Sequence, residues 1–170
     1  LITCMAATKT FNIAGLMISQ VIIRDDKLRE TWLKRHYNFD NPLSIAAAQA
    51  AYEKGEKWLE ELRAYLDENF RFTKEYLSIY LPKAKFRIPE ATYLAWVDLS
   101  AYFEKDENLT LFFTNNAGVL LESGSNMFVQ NADCFIRLNL ACPRSLLKEG
   151  LRRICEAVNK KHNEKFVSRN

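Results

Sequence analysis

The sequence predicts a mixed α/β chain, and three features carry that prediction. Two short apolar runs open it, "LITCM" and "LMISQVII", the second enriched in β-branched residues; a long helical stripe follows from Ser44 to about Leu81; a final stretch alternates strand-like and helical segments. The expected order is two strands, two helices, then an α+β unit in which an antiparallel sheet is covered by helices.

Leu1–Met5 reads as a short buried strand and Leu16–Ile23 as a second, with "NIAG" as a tight connection. Asp25 and Asp26 sit where a helix N-terminus favours acids, and "KLRETWLKRHYN" continues in helical pattern. "NPLS" ends that helix, because the residue before Pro42 is pushed out of the helical region, and Ser44 can cap the next one. Next, "IAAAQAAYEKGEKWLEELRAYLDENF" places Trp58, Leu62, Tyr65 or Leu66, and Phe70 on one stripe, with Glu53 and Lys57 in the acid-first i,i+4 order. Gly55 costs about 1 kcal/mol against alanine there, yet no proline intervenes before Pro82. The expectation is one very long helix, straight or kinked, running on through "FTKEYLSIYL" with Phe72, Tyr76 and Tyr80 aligned.

Beyond it, "KFRIPEATYLAWVDL" reads as strand, turn at Pro89-Glu90, strand. "LTLFFTNNAGVLLESG" reads as a short helix, a turn at Asn115–Gly118 and a short strand. "DCFIRLNLACP" is a strand closed by Pro143, and "RSLLKEGLRRICEAVNKKH" is an amphipathic helix with Leu147, Leu151, Ile154 and Val158 on its face.

Composition narrows the function classes. With 170 residues, 48% hydrophobic and 26% charged, the chain can bury a real core. A net charge of +3 without a Lys/Arg cluster argues against nucleic acid or an anionic membrane as partner. The longest apolar run, "IAGLMISQVII", is broken by Ser19 and Gln20 and is too short to span a bilayer. Cys4, Cys134, Cys142 and Cys155 form no CxxC pair, which fits reduced, mostly buried thiols of a cytoplasmic protein; His36 and His162 stand alone, so no metal is expected. The chain begins inside what reads as a strand and without an initiator methionine, so a piece of a longer protein is expected.

Two residues invite chemistry. Lys9, in "TKTFNIAGL", follows an apolar run; a cation at the end of a buried strand is costly unless paired or neutral, and a neutral lysine condenses with carbonyls. Out of context, a solvated lysine in a turn is the better reading of it. Arg137 lies mid-strand in "CFIRLNLAC", where a buried guanidinium needs an anion, either a substrate carboxylate or a structural partner.

Three stretches in order, "TKTFNIAGL", "PEATYLAWVDL" and "FIRLNLACPRSLLKEGLRRI", resemble the fold-type I pyridoxal-phosphate enzymes, a class I/II aminotransferase superfamily, in their cystathionine β-lyase (C–S lyase) branch. The length matches only the C-terminal part of such an enzyme. The resemblance implies a PLP-dependent transferase-like fold with residues 1–37 a remnant of the large cofactor-binding domain, residues 38–82 a long inter-domain helix and residues 83–170 the small domain. It implies that Lys9 forms the Schiff base with pyridoxal 5'-phosphate and moves the Cα proton, that Thr8 contacts the cofactor phosphate, and that Arg137 clamps the substrate α-carboxylate.

Ala6 stands where the family commonly has a second hydroxyl, and Met17 where aminotransferase-type relatives carry an arginine, which favours the lyase. Asn131 and Ala132 fall where glycines are expected, Arg144 resembles a helix-start residue with local pairing, and Tyr93 and Trp96 are expected in the core. The whole enzyme is then expected to be a homodimer that turns a cysteine thioether into thiol, pyruvate and ammonia, with an aminotransferase as alternative. The family's ring-stacking aromatic, its aspartate for the pyridine nitrogen and its further cofactor ligands precede the lysine. The isolated chain is therefore expected to be inactive and to lack the cofactor.

Overall fold

A computed structural model describes residues 1–36, 40–127 and 130–167. The chain divides into two compact units, residues 1–63 and 64–170.

In the first unit, β1 (Ile2–Met5) pairs antiparallel with β2 (Gln20–Ile23), Ile2 opposite Ile23 and Met5 opposite Gln20. The second strand starts later than its composition suggests. Ala14–Leu16 form a 3-10 turn, and Met17 takes the left-handed conformation (φ 47°) that closes it. The connection is held by main-chain bonds, Phe11 N to Ala7 O (3.0 Å) and Ile13 N to Thr8 O (2.9 Å), rather than by a tight "NIAG" turn. Nor is β1 buried: Ile2, Cys4 and Met5 are exposed, since a two-stranded ribbon offers too little surface to cover its own faces.

Helix α1 (Asp26–Arg35) begins as expected, with Asp25 Oδ1 accepting from Leu28 N (2.9 Å) and basic residues in its last turn. The end of the predicted helix, Tyr37 and Asn38, lies outside the described residues. Helix α2 (Pro42–Lys54) is capped by Asn41, not Ser44: Asn41 Oδ1 accepts from Leu43 N (2.9 Å), and Pro42 sits in the first turn, where its missing N–H is harmless. Ser44 lies inside the helix, buried, its hydroxyl donating to Leu16 O (2.8 Å).

The single long helix is in fact two, α2 and α3 (Glu56–Tyr80), meeting at Gly55. The ladder carries on across the break, Gly55 N to Ala51 O (3.0 Å) and Leu59 N to Gly55 O (2.9 Å). A Cβ at Gly55 would lie 2.3 Å from Ala51 O and 2.4 Å from the Phe11 ring, which stacks on Trp58. Only glycine lets that ring approach the helix.

The second unit is built on a four-stranded antiparallel sheet in the order β3 (Lys85–Phe86), β4 (Leu94–Asp98), β6 (Phe135–Asn139), β5 (Glu122–Ser123). Alternation along β4 and β6 sends Ala95, Val97, Ile136 and Leu138 into the core. Leu66, Phe70 and Leu77 of α3 are buried, as is Phe113 of α4 (Leu109–Ala117). The expected face of α5 (Arg144–Val167), Leu147, Leu151, Ile154 and Val158, is buried in full. On α3 the stripe differs in detail: Trp58 and Tyr65 are exposed, while Phe72, Tyr76 and Tyr80 form a ring ladder beside the core (centroids 5.7 and 4.4 Å apart). Gly118 ends α4 in the left-handed conformation (φ 60°), with Val119 N reaching back to Phe113 O.

Candidate active-site residues

The sequence-predicted residues fall in both units. Lys9 and Thr8 lie in the turn after β1, and Arg137 lies at the centre of β6. Lys9 is exposed and makes no ion pair or side-chain hydrogen bond among the described residues. Thr8 is half-buried; its carbonyl is taken by Ile13 N and its hydroxyl has no partner among the described residues. A free primary amine beside a free hydroxyl is a donor set that fits an aldehyde and a phosphate.

Arg137 is half-buried and points away from the core-facing side of the sheet. Its register partners are Trp96 on β4 and Glu122 on β5, so Trp96, Arg137 and Glu122 form one row across the strands. Trp96 therefore belongs to the opposite face from the core; half-buried, it meets Phe135 edge-on (6.1 Å), contrary to the expectation from sequence. The anion that Arg137 needs is present within the chain: Nη2 pairs with Glu122 Oε2. Sequence reasoning missed Glu122, because only the β5–β6 register brings it opposite the arginine. Both residues line a cavity of about 930 Å³ whose walls include Leu94, Leu120, Asn126 and Leu146.

The loop before β6 shows how the expected glycines are replaced. Asn131 takes the left-handed conformation (φ 58°), which asparagine tolerates better than most residues. Ala132 keeps its side chain because Gly124 makes the close approach: a Cβ at Gly124 would lie 2.0 Å from Ala132 O. Phe128 and Val129 of this loop lie outside the described residues.

Arg144 stands at the start of α5 as expected, but its partners are not local: they lie on α3. Its Nε donates to Asn69 Oδ1 (2.5 Å), its backbone N to the Tyr65 hydroxyl (2.7 Å), and its guanidinium lies over Phe72.

All four cysteines are free thiols, and among the described residues no group of three or more His, Cys, Asp or Glu could hold a metal ion. Burial pushes the Cys134 and Cys142 thiols up, and Cys155 up to about 12, with Glu156 adding to it. At pH 8 about one Cys155 in 10⁴ would be thiolate, the reactive form. Exposed Cys4 should therefore take up iodoacetamide in the native protein, and Cys155 only after denaturation; mass spectrometry of peptides alkylated with and without guanidinium checks this. Early labelling of Cys155 would contradict its packing.

No family model matches the chain. The curated cystathionine beta-lyase PatB of Bacillus subtilis is 40% identical over 162 residues, 93% of this chain but 42% of the relative. A PLP-bound C-S lyase from Staphylococcus hominis superposes with a TM-score of 0.88 at 51% identity, covering 92% of this chain and 42% of that one. Cystalysin from Treponema denticola, which contains pyridoxal 5'-phosphate, superposes at 0.86 with 31% identity over 94% of this chain and 41% of its own. The chain thus spans about two-fifths of the relatives it matches. No helix of the described residues is long and apolar enough to cross a membrane. By sequence and by fold, the chain is similar to the cystathionine β-lyases among the fold-type I pyridoxal-phosphate enzymes and corresponds to the C-terminal part of that fold.

Proposed function

We propose that this chain is the C-terminal part of a pyridoxal-phosphate-dependent C–S β-lyase, a cytoplasmic homodimer acting on small-molecule amino acids. The whole enzyme cleaves a cysteine thioether such as cystathionine into thiol, pyruvate and ammonia. The observation that carries this reading is the likeness, over more than nine-tenths of the chain, to a solved C-S lyase at 51% identity. In this reading residues 1–37 belong to the large domain, 38–82 link the domains, and 83–170 form the small domain.

Lys9 has two tasks, and Thr8 and Arg137 have one each. The Lys9 amine holds the cofactor aldehyde covalently and, once freed by substrate, carries the proton at the substrate Cα. The Thr8 hydroxyl donates to the cofactor phosphate. Arg137 holds the α-carboxylate and so orients the Cα–H bond. Pyridoxal phosphate, when bound, supplies the electron sink that lets the Cα proton leave. With the proton held on Lys9, the electron pair of the Cβ–S bond would leave on sulfur, which would take up a proton to become the thiol, and one water would be consumed in giving pyruvate and ammonia.

The test is pyruvate release from cystathionine by the full-length enzyme with no keto-acid acceptor present. Formation of pyruvate and thiol in equal amounts supports the lyase, and a strict need for an acceptor would make it an aminotransferase. The 170-residue chain alone, which lacks the family's upstream cofactor contacts, is proposed to be inactive and to bind the cofactor weakly. Within the full-length enzyme, Arg137→Ala should lower kcat/KM by about 2–4 kcal/mol of transition-state binding. Arg137→Lys, which keeps charge but loses the fork, should fall between. An alanine variant that melts early but turns over normally would reduce Arg137 to a structural ion pair.

A further inference from the structure

We propose that Glu122 is a positioning residue for the carboxylate site at Arg137, an inference that rests on Arg137 being the carboxylate clamp. Glu122 accepts from one guanidinium nitrogen, Nη2, and Arg137 makes no other side-chain hydrogen bond among the described residues. Most of the guanidinium's N–H donors are therefore left open, and a carboxylate can be gripped by two of them at once. A free arginine side chain samples many rotamers, and fixing one end from the neighbouring strand removes most of that freedom before substrate arrives.

Glu122 is itself held at a rigid point of the fold. The next residue, Ser123, is fully buried, its hydroxyl within hydrogen-bond distance of the Thr110 (3.3 Å) and Ser125 (3.1 Å) hydroxyls. Gly124 then packs directly on Ala132. On the other side of Arg137, Trp96 occupies the paired position on β4, so the arginine's two register neighbours across the sheet are an aromatic residue and an acid. The arginine and the glutamate both line the cavity, which gives a small anion a route to the open donors.

A purely structural role accounts poorly for this pair. The side chains of Arg137 and Glu122 are 25% and 57% exposed, and ion pairs that exposed add little to stability. The same exposure bounds the effect on binding to roughly three- to fivefold.

The test compares Glu122→Ala, Glu122→Gln and Arg137→Ala in the full-length enzyme that contains this chain, with cystathionine as substrate. Glu122→Ala should raise KM roughly three- to fivefold with kcat within about twofold, and Glu122→Gln, which keeps an acceptor for Nη2, should recover most of that loss. In the 170-residue chain, the Arg137 Nε–H signal in ¹⁵N NMR should broaden through motion in Glu122→Ala and sharpen again in Glu122→Gln. A lowered KM in both Glu122 variants would mean that Glu122 competes with substrate for the guanidinium, and the proposal would be wrong. Unchanged KM in both, with KM raised in Arg137→Ala, would equally overturn it while leaving the clamp intact. Unchanged KM in Arg137→Ala would instead remove the clamp reading, and this proposal with it.

Discussion

Replacing Asn69 by alanine should destabilise the second unit by about 2–4 kcal/mol, the largest stability loss expected from a polar position in this chain. Asn69 is fully buried on α3, and its amide ties that helix to one turn through three hydrogen bonds. Nδ2 donates to Leu140 O (2.8 Å) and Cys142 O (3.2 Å), while Oδ1 accepts from Arg144 Nε (2.5 Å). Those partners belong to "LACPR", the turn between β6 and α5, which is tied further by Leu140 N to Tyr93 O (2.9 Å) and Ala141 N to Asn139 Oδ1 (2.9 Å). Truncation leaves the buried Leu140 carbonyl without that side-chain donor, at about 1–3 kcal/mol, and adds a small void. The Cys142 carbonyl and Arg144 are partly exposed, so water recovers some of their share.

Asn69→Leu separates the two causes, since it refills the volume without restoring a donor. Urea melts of the second unit's signal should show leucine recovering well under half of the loss. A leucine variant as stable as the wild type would show that packing, not hydrogen bonding, holds the turn. Leu140 directly follows β6, three residues after Arg137, so the Asn69 variants should also loosen the arginine's Nε–H signal in NMR.

Much of the fold was legible where one strong local pattern decided it. The α5 face reads directly from Leu147, Leu151, Ile154 and Val158, and β6 reads from its β-branched and apolar run closed by Pro143. The start of α1 reads from Asp25, whose cap needs no tertiary partner. At Gly55 and Ser44 a contact distant in sequence overrides the local preference. Gly55 looks like a tolerable weak point in a helix until Phe11 is seen against it. Ser44 looks like a cap, but its hydroxyl is engaged by Leu16, and Asn41 takes the cap because Pro42 suits the first turn. Trp96 looks like core because it is large and flanked by apolar residues, yet strand parity puts it beside Arg137.

The candidate site was legible as residue types and not as partners. That Arg137 requires an anion is evident from its place in an apolar strand; that Glu122 supplies one is evident only from the register of the short strand β5 against β6. Asn131 likewise replaces a glycine by exploiting its own tolerance of positive φ, which a residue-by-residue comparison registers only as a departure.

Lys9 carries the largest effect expected on activity. In the proposed role it both holds the cofactor and moves the Cα proton, and a positioned proton-transfer group contributes about 10²–10⁴ in rate. Lys9→Ala in the full-length enzyme should therefore lower kcat by about 3–5.5 kcal/mol in barrier terms and abolish the visible absorbance of covalently held cofactor. The fold should not respond, because Lys9 is exposed and has no partner among the described residues whose loss could unfold the unit. A melting temperature equal to that of the wild type when both are free of cofactor, beside lost turnover, is then the signature of chemistry rather than of stability. Thr8→Ala provides the contrast: losing one hydrogen bond to a charged phosphate should weaken cofactor binding by about 1.5–3 kcal/mol while kcat at saturating cofactor stays near normal. Turnover and melting are to be measured on the same preparations over a series of pyridoxal phosphate concentrations. A Lys9→Ala enzyme that keeps both its absorbance and its turnover would show that another amine does this work, and Lys9 would revert to a solvated lysine in a turn.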